Sequence, residues 1–135
     1  MTDLLATCWS SAGDAASDRA DLRSPLPLRE RIEAASAAGF RGFGLLYADL
    51  PAAEEAHGLS GIRAMLDDNG IVHLELEGIP YWWDDGPRRP ESDRIRHALL
   101  TAADGLDYDY SLRSQPNNIE IYFDLASRAL KQMMP

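Results

Sequence analysis

Three residues with chemically active side chains alternate along one short apolar segment. His73, Glu75 and Glu77 are separated by Leu74 and Leu76, and alternate residues of a β-strand lie on the same face. An imidazole and two carboxylates spaced roughly 6 to 7 Å apart along a strand can serve as general acids and bases or as metal ligands. We therefore take His73, Glu75 and Glu77 as the candidate catalytic residues. The alternative is a polar strand face that is simply exposed or hydrogen-bonded.

The element that carries these residues is the third of three similar segments. The apolar runs Leu4–Trp9, Gly42–Tyr47 and Ile71–Glu77 are each followed by an amphipathic stretch. This order predicts parallel strands that alternate with helices. The carboxyl ends of such strands are where β/α folds bind their ligands, and Glu77 is the candidate nearest to that end.

The first two helices are predicted from their end signals. Ser24 and Pro25 are typical of a helix start, and Gly39 of a helix end in the left-handed conformation. Pro51 and His57 fall in a predicted loop, after which apolar residues at helical spacing predict the second helix.

The repeat ends after the third helix, for which Ser92 is the predicted cap. The residues that follow this helix, Asp-Tyr-Asp-Tyr-Ser, lack the aliphatic run of a buried parallel strand. We therefore divide the chain into residues 1–106, with three βα units, and a divergent tail, 107–135. A terminal helix from Asn118 is predicted in the tail, with a strand at Ile119–Phe123 as the alternative.

Composition limits the class of protein. The chain has 135 residues, fewer than the roughly 250 of a complete eight-unit barrel. A net charge of -9 argues against nucleic acid as a partner, since a phosphate backbone needs a basic surface.

No apolar run approaches the roughly 20 residues of a membrane span, and we predict a cytoplasmic protein. Cys8 is the only cysteine, so one chain builds no disulfide and no zinc–thiolate cluster. It is either a buried core residue or a reactive thiol.

Two segments resemble a known family. Residues 37–43, Ala-Ala-Gly-Phe-Arg-Gly-Phe, and residues 73–78, His-Leu-Glu-Leu-Glu-Gly, with the tryptophans that follow, are similar to the sugar phosphate isomerase/epimerase family of xylose isomerase-like barrels. The resemblance covers roughly Leu4 to Leu106. It implies an α/β fold, a partial (β/α) barrel with about three parallel βα units, to which the tail adds a C-terminal helix.

The resemblance also implies a chemistry that this chain does not fully carry. The family holds a divalent metal such as Mn, Mg or Zn with Glu, Asp, His and Glu residues from later strands, which are not present here. No residue of this chain therefore inherits a metal ligand, and Gly44 and Leu45 stand where the family has an acid. A substrate-lining role carries over to the loop aromatics Trp9, Tyr47, Trp82 and Trp83.

Two functions follow as expectations. The first is a truncated sugar phosphate isomerase/epimerase-like protein, in which the ancestral metal-assisted aldose–ketose isomerisation or epimerisation is impaired; whether the chain is an enzyme stays open. The alternative is a non-catalytic β/α fragment that self-associates through exposed sheet edges. The expected partners are a sugar or sugar phosphate and further copies of the chain, with no nucleic acid and no membrane.

Two loop features keep alternatives of their own. Trp82 and Trp83 can stack on a sugar ring, or cover a core edge or an oligomer contact. Arg88 and Arg89 can hold a phosphate by charge-assisted hydrogen bonds, or belong to a solvated loop.

Overall fold

The computed structural model describes residues 3–106, which form three parallel βα units. The strands and helices are β1 (Leu5–Ala6), α1 (Leu28–Ala37), β2 (Gly42–Leu46), α2 (Leu50–Asp68), β3 (His73–Glu77) and α3 (Arg89–Leu106). A single helical turn at Cys8–Ser10, here named the Cys8 turn, follows β1. The predicted tail, with its helix from Asn118 or its alternative strand, lies outside the described residues.

The sheet is open, and its strands follow one another in chain order. β2 pairs in parallel with both neighbours, and the register places Gly42 beside Leu5 and His73, and Leu46 beside Glu77. Right-handed crossovers between sequential parallel strands put the connecting helices on the same side of a sheet. The predicted α/β class with three parallel βα units is confirmed.

The two faces of the sheet differ in composition. Phe43 and Leu45 lie on the face that we name the helix face, where the Arg31 guanidinium carbon of α1 is 5.6 Å from the centre of the Phe43 ring. The register places seven residues on the opposite face, named the glycine face: Leu5, Gly42, Gly44, Leu46, His73, Glu75 and Glu77. The prediction that the His73, Glu75 and Glu77 positions share one face, apart from the aliphatic one, is confirmed.

The chain divides into two compact units. Among the described residues, the first comprises 3–78 and 99–106, and the second comprises 79–98. The first unit holds the largest fully buried side chains: Phe43, Ile32, Leu45, Ile62, Met65, Leu66, Ile71, Leu106 and Cys8. The burial of Cys8 agrees with its interpretation as a core residue. No helix within residues 3–106 is long and apolar enough to cross a membrane.

Helix α1 begins later than the sequence predicts. It starts at Leu28, because Ser24 makes other hydrogen bonds instead of capping it. The Ser24 backbone N–H donates to Asp49 Oδ1 at 2.8 Å, and its hydroxyl donates to the Ala12 carbonyl at 2.8 Å. The predicted end is correct, since Gly39 has a φ of +89°.

Helix α2 begins earlier than the sequence predicts. Pro51 and His57, placed in a loop by the sequence, are both within it. Proline is tolerated in the first turn of a helix because the N–H that it lacks has no partner there. The chain breaks at Gly58, whose φ of 65° and ψ of 164° are not helical. The segment is therefore two consecutive helices where one loop and one helix were predicted.

The third unit also differs in its boundaries. The strand predicted from Ile71 begins at His73, and α3 begins at Arg89 instead of at a cap formed by Ser92. Ser92 lies in the first turn of α3 and is buried.

Candidate functional site

The Cys8 turn and the end of β3 meet at the carboxyl edge of the sheet. Glu77, half-buried at the end of β3, accepts a hydrogen bond from the Cys8 backbone N–H, with 2.6 Å between Oε1 and N. The strand predicted over Leu4–Trp9 therefore ends at Ala6, because the chain turns there across the glycine face. A carboxylate that accepts from a backbone N–H makes a charge-assisted hydrogen bond, which is stronger than a neutral one.

Gly44 leaves the space in which this contact forms. A Cβ atom at this position would meet Glu77 Oε1 and would lie 2.6 Å from the Cys8 nitrogen and 2.9 Å from the Thr7 carbonyl carbon. Glycine is therefore the residue that lets the Cys8 turn and the Glu77 carboxylate pass this close to β2. The position where the resemblance implies an acid instead serves close packing.

Tyr47 is the second candidate residue that the structure places beside Glu77. The Tyr47 backbone N–H donates to the Glu77 carbonyl at 2.8 Å. Gly78 has a φ of 86°, and a Cβ there would lie 2.9 Å from Tyr47 Cδ1, so the tyrosine ring packs against this glycine. Trp9 follows Cys8 in the turn and is 36% exposed. Glu77, Tyr47 and Trp9 thus belong to one edge of the first unit.

An ion pair that the sequence analysis did not identify holds the other side of the Cys8 turn. Arg31 of α1 is 2% exposed, and its Nη1 lies 2.8 Å from Asp49 Oδ2. Its Nη2 donates to the Cys8 carbonyl at 3.2 Å, and its Nε donates to Ser11 Oγ at 3.4 Å. The guanidinium therefore joins α1, the Cys8 turn and the end of β2.

The pattern around Arg31 indicates its burial. Leu28, Ile32 and Ala35 form the buried stripe of α1. Arg31 comes three residues after Leu28, so it lies on the same side of the helix. A charged residue within an apolar stripe is rarely buried unless it is paired. Its partner Asp49 is 18 residues away in the chain, and only the fold brings the two together.

His73 lies at the opposite end of β3 from Glu77. Its Nε2 is 3.3 Å from Asp3 Oδ2, and both side chains are exposed. Glu77 follows His73 by four positions along the strand, a distance of about 13 Å. The three candidate catalytic residues share a face but do not form one cluster, and their catalytic roles stay a prediction.

Electrostatics distinguish the groups near Glu77. Partial burial, followed by the negative charge of Glu77, raises the pKa of Glu75. Burial, followed by the charge and the hydrogen bond of Glu77, raises the pKa of the Cys8 thiol to about 12. Since the thiolate is the nucleophilic form of cysteine, a protonated, buried Cys8 does not suit the interpretation as a reactive thiol.

The described donors do not fit the divalent metal that the resemblance implies. Within residues 3–106, no three His, Cys, Asp or Glu side chains are grouped closely enough to hold an ion. Glu77 is occupied by the Cys8 N–H, and His73 is at the far end of its strand. We therefore assign no catalytic step to a metal.

The other two aromatic candidates belong to the second unit. Trp82 and Trp83 pack edge to face with ring centres 5.7 Å apart, and Trp83 is 43% exposed. The Arg88 guanidinium carbon lies 4.5 Å from the centre of the Tyr81 ring, and Arg88 Nε donates to Asp84 Oδ2 at 2.6 Å. The Arg88 hydrogen bond, followed by one from the Gly86 backbone, lowers the pKa of Asp84.

The arginine pair of this loop is neutralised by neighbouring carboxylates. Arg89 Nε donates to Asp93 at 2.8 Å, and Asp85 lies 3.7 Å from Arg89 Nη1. Both partners of Arg89 are exposed, as Arg88 itself is. This arrangement favours the solvated loop over a phosphate site at Arg88 and Arg89.

Comparison with known proteins adds no family to this description. The chain matches no protein-family model, no curated protein and no solved structure.

Proposed function

We propose that this chain is a barrel segment of the sugar phosphate isomerase/epimerase type that acts by assembling through its sheet edge, with the isomerisation or epimerisation of that family impaired. The observation that carries the proposal is the three-stranded parallel sheet in sequential order, in which no described strand pairs with the outer edge of β3. A barrel removes both edges of its sheet by closing it, whereas an open sheet must pair or protect them.

The unpaired groups on β3 can be assigned from the ladder. The His73 N–H donates to the Arg41 carbonyl, and the Glu77 carbonyl accepts from Tyr47, so alternate residues of β3 bond to β2. The peptide groups of Leu74 and Leu76, which lie between them, point away from β2. Among the described residues, no backbone hydrogen bond reaches these outward groups. A strand from a second copy would pair with them.

Light scattering after size-exclusion chromatography tests this assembly. We expect the native chain to be a dimer or larger and Leu74→Pro to be a monomer, because proline removes the outward N–H and spares the bonds to β2. Leu74→Ala is the matched control, since it removes the same side chain and keeps the N–H. A monomeric native chain, or equal dissociation of the two variants, would refute edge pairing.

A second candidate function is metal-independent proton transfer beside a carbonyl, which the raised pKa of Glu75 favours. The Glu77 side chain and the more readily protonated Glu75 would act as a base and an acid on one strand face. The base would remove the proton from the carbon next to the substrate carbonyl, and the acid would protonate the carbonyl oxygen, which gives an enediol. Return of the protons in the opposite sense would complete an isomerisation.

Deuterium exchange tests this second function without requiring net turnover. A hydroxy-aldehyde such as glucose 6-phosphate, incubated in D₂O with chelator present, is expected to gain deuterium at C2 with the native chain. Glu75→Gln should abolish the gain, and Glu33→Gln, which removes an exposed carboxylate of α1, should not change it. Exchange no faster than that of the buffer alone would exclude this function.

A further inference from the structure

The backbone of Cys8 is held on both sides by oppositely charged groups. Its N–H donates to the Glu77 carboxylate of β3 at 2.6 Å, and the Cys8 carbonyl accepts from the Arg31 guanidinium of α1 at 3.2 Å. A negative group faces the donor and a positive group faces the acceptor, so both contacts are charge-assisted. The two elements that supply them come from different parts of the chain, 69 and 23 residues from Cys8.

The Arg31 guanidinium is itself held in place. Asp49 holds the Arg31 guanidinium through Oδ2, while its Oδ1 accepts from the Ser24 backbone N–H. The Ser24 hydroxyl returns to the Ala12 carbonyl, beyond the Cys8 turn. Hydrogen bonds that are buried and joined in a network hold a backbone segment more rigidly than isolated surface contacts do.

Trp9 is the side chain that this network presents. It follows the clamped peptide directly, and 36% of its surface is exposed although both neighbouring peptide contacts are partly or fully buried. The exposed indole lies outside the core, and the hydrogen bonds of Cys8 fix the backbone that carries it. An exposed, rigid aromatic face at the carboxyl end of a β-strand suits stacking on the apolar face of a ring.

We infer that Glu77 and the Arg31–Asp49 pair are positioning residues, which hold the Cys8 turn so that Trp9 is a fixed stacking surface for a sugar ring. The identity of the ligand rests on the proposed function, whereas the clamp rests on the hydrogen bonds alone. In this positioning role Glu77 acts through the contact of its Oε1 with the Cys8 backbone N–H.

Trp9 fluorescence tests the inference in a chain with Trp82→Phe and Trp83→Phe, where Trp9 is the single tryptophan. We expect Glu77→Ala to increase the local motion of Trp9, measured by time-resolved anisotropy, and to raise its acrylamide quenching at least twofold. Glu77→Gln should preserve the native values, because its amide oxygen still accepts from the Cys8 N–H. Equal mobility of Trp9 in the native, Ala and Gln chains would overturn the clamp.

Sugar binding supplies the second readout. Fructose 6-phosphate is expected to change Trp9 emission and inorganic phosphate is not, and Glu77→Ala should weaken the sugar affinity at least tenfold while Glu77→Gln keeps it. If Glu77→Ala does not fold, Arg31→Lys provides the same test, since lysine keeps the charge and loses the fork that reaches Asp49 and Cys8 together. No response of Trp9 to the sugar would refute the stacking role. These outcomes are independent of the oligomeric state on which the proposed function is tested.

Discussion

The Cys8 turn and the loop that carries Trp82 and Trp83, residues 81–88 and here named the aromatic loop, each present an exposed tryptophan, but different interactions hold them. The turn is fixed by the buried Arg31–Asp49 pair, in which the two side chains are 2% and 11% exposed. The loop is fixed by Arg88 and Asp84, at 54% and 15% exposure. A surface ion pair stabilises a fold by about 0 to 1 kcal/mol, whereas loss of one partner from a buried pair costs about 3 to 5 kcal/mol. Ion pairs of similar side chains are thus expected to contribute unequally to the stability of the fold, according to how deeply each pair is buried.

The largest effect is expected from Arg31→Met. It leaves the largely buried Asp49 without its cation and the Cys8 carbonyl without its donor, so the free energy of unfolding should fall by about 3 to 5 kcal/mol. Urea denaturation followed by far-UV circular dichroism measures the loss. Arg29→Met, on the exposed side of the same helix, should change the free energy by less than about 0.5 kcal/mol.

The double variant Arg31→Met with Asp49→Leu sharpens the same test. Removing both charges leaves no ion buried, so part of the lost stability should return. If Arg31→Met alone lowered the free energy of unfolding as little as Arg29→Met does, the contrast between the buried pair and the surface loop would not hold.

Gly44→Ala probes the close approach of Glu77 to the Cys8 turn. The added methyl group would meet the Glu77 carboxylate and the Cys8 nitrogen, and we expect the free energy of unfolding to fall by about 1 to 3 kcal/mol. Gly61→Ala in α2, where the nearest atom is His57 Cβ at 3.3 Å, is the control and should leave stability unchanged or raise it. Equal stability of both variants would mean that the turn shifts freely away from β2.

The regular elements of this fold were more predictable than its site. Period-2 alternation placed Glu75 and Glu77 on one face, and Gly39 marked the end of α1, because both signals act over a few neighbouring residues. The contacts of the site act over long separations: Glu77 is 69 positions from Cys8 in the chain, and Asp49 is 18 positions from Arg31. No local pattern encodes such partners.

The start of α1 and the end of the first strand were predicted wrongly for a similar reason. Ser24 has the side chain of a helix cap, yet Asp49 and Ala12 are its partners, and α1 begins after it. The first apolar run ends as a strand at Ala6 because Gly44 on the neighbouring strand leaves room for the chain to turn. In both places a tertiary contact overrides a local preference.

The next smaller effect on stability is expected from a change in the aromatic loop. Asp84→Asn removes the negative charge beside Arg88 and keeps the side-chain shape, so we expect the free energy of unfolding to fall by less than about 1 kcal/mol. The change should shrink further in high salt, which screens exposed charges. Chemical denaturation at low and high salt measures both. A salt-independent loss as large as that of Arg31→Met would contradict the contrast between the two regions.

The smallest effect is expected from Glu75, whose charge lies beside the clamp without taking part in it. Its pKa in the folded chain is raised above the ordinary 4.5, so the folded state binds the proton more tightly than the unfolded state does. Its contribution to stability is therefore greatest in acid and is lost as pH rises from 4.5 through the folded-state pKa. Glu75→Gln should accordingly be more stable than the native chain at neutral pH, and this advantage should shrink toward pH 4, as measured by urea denaturation across that range. Glu33→Gln controls for the removal of one surface charge. An advantage of Glu75→Gln that grew toward acid would mean that folding lowers the pKa of Glu75, contrary to the burial and the repulsion by Glu77 that raise it.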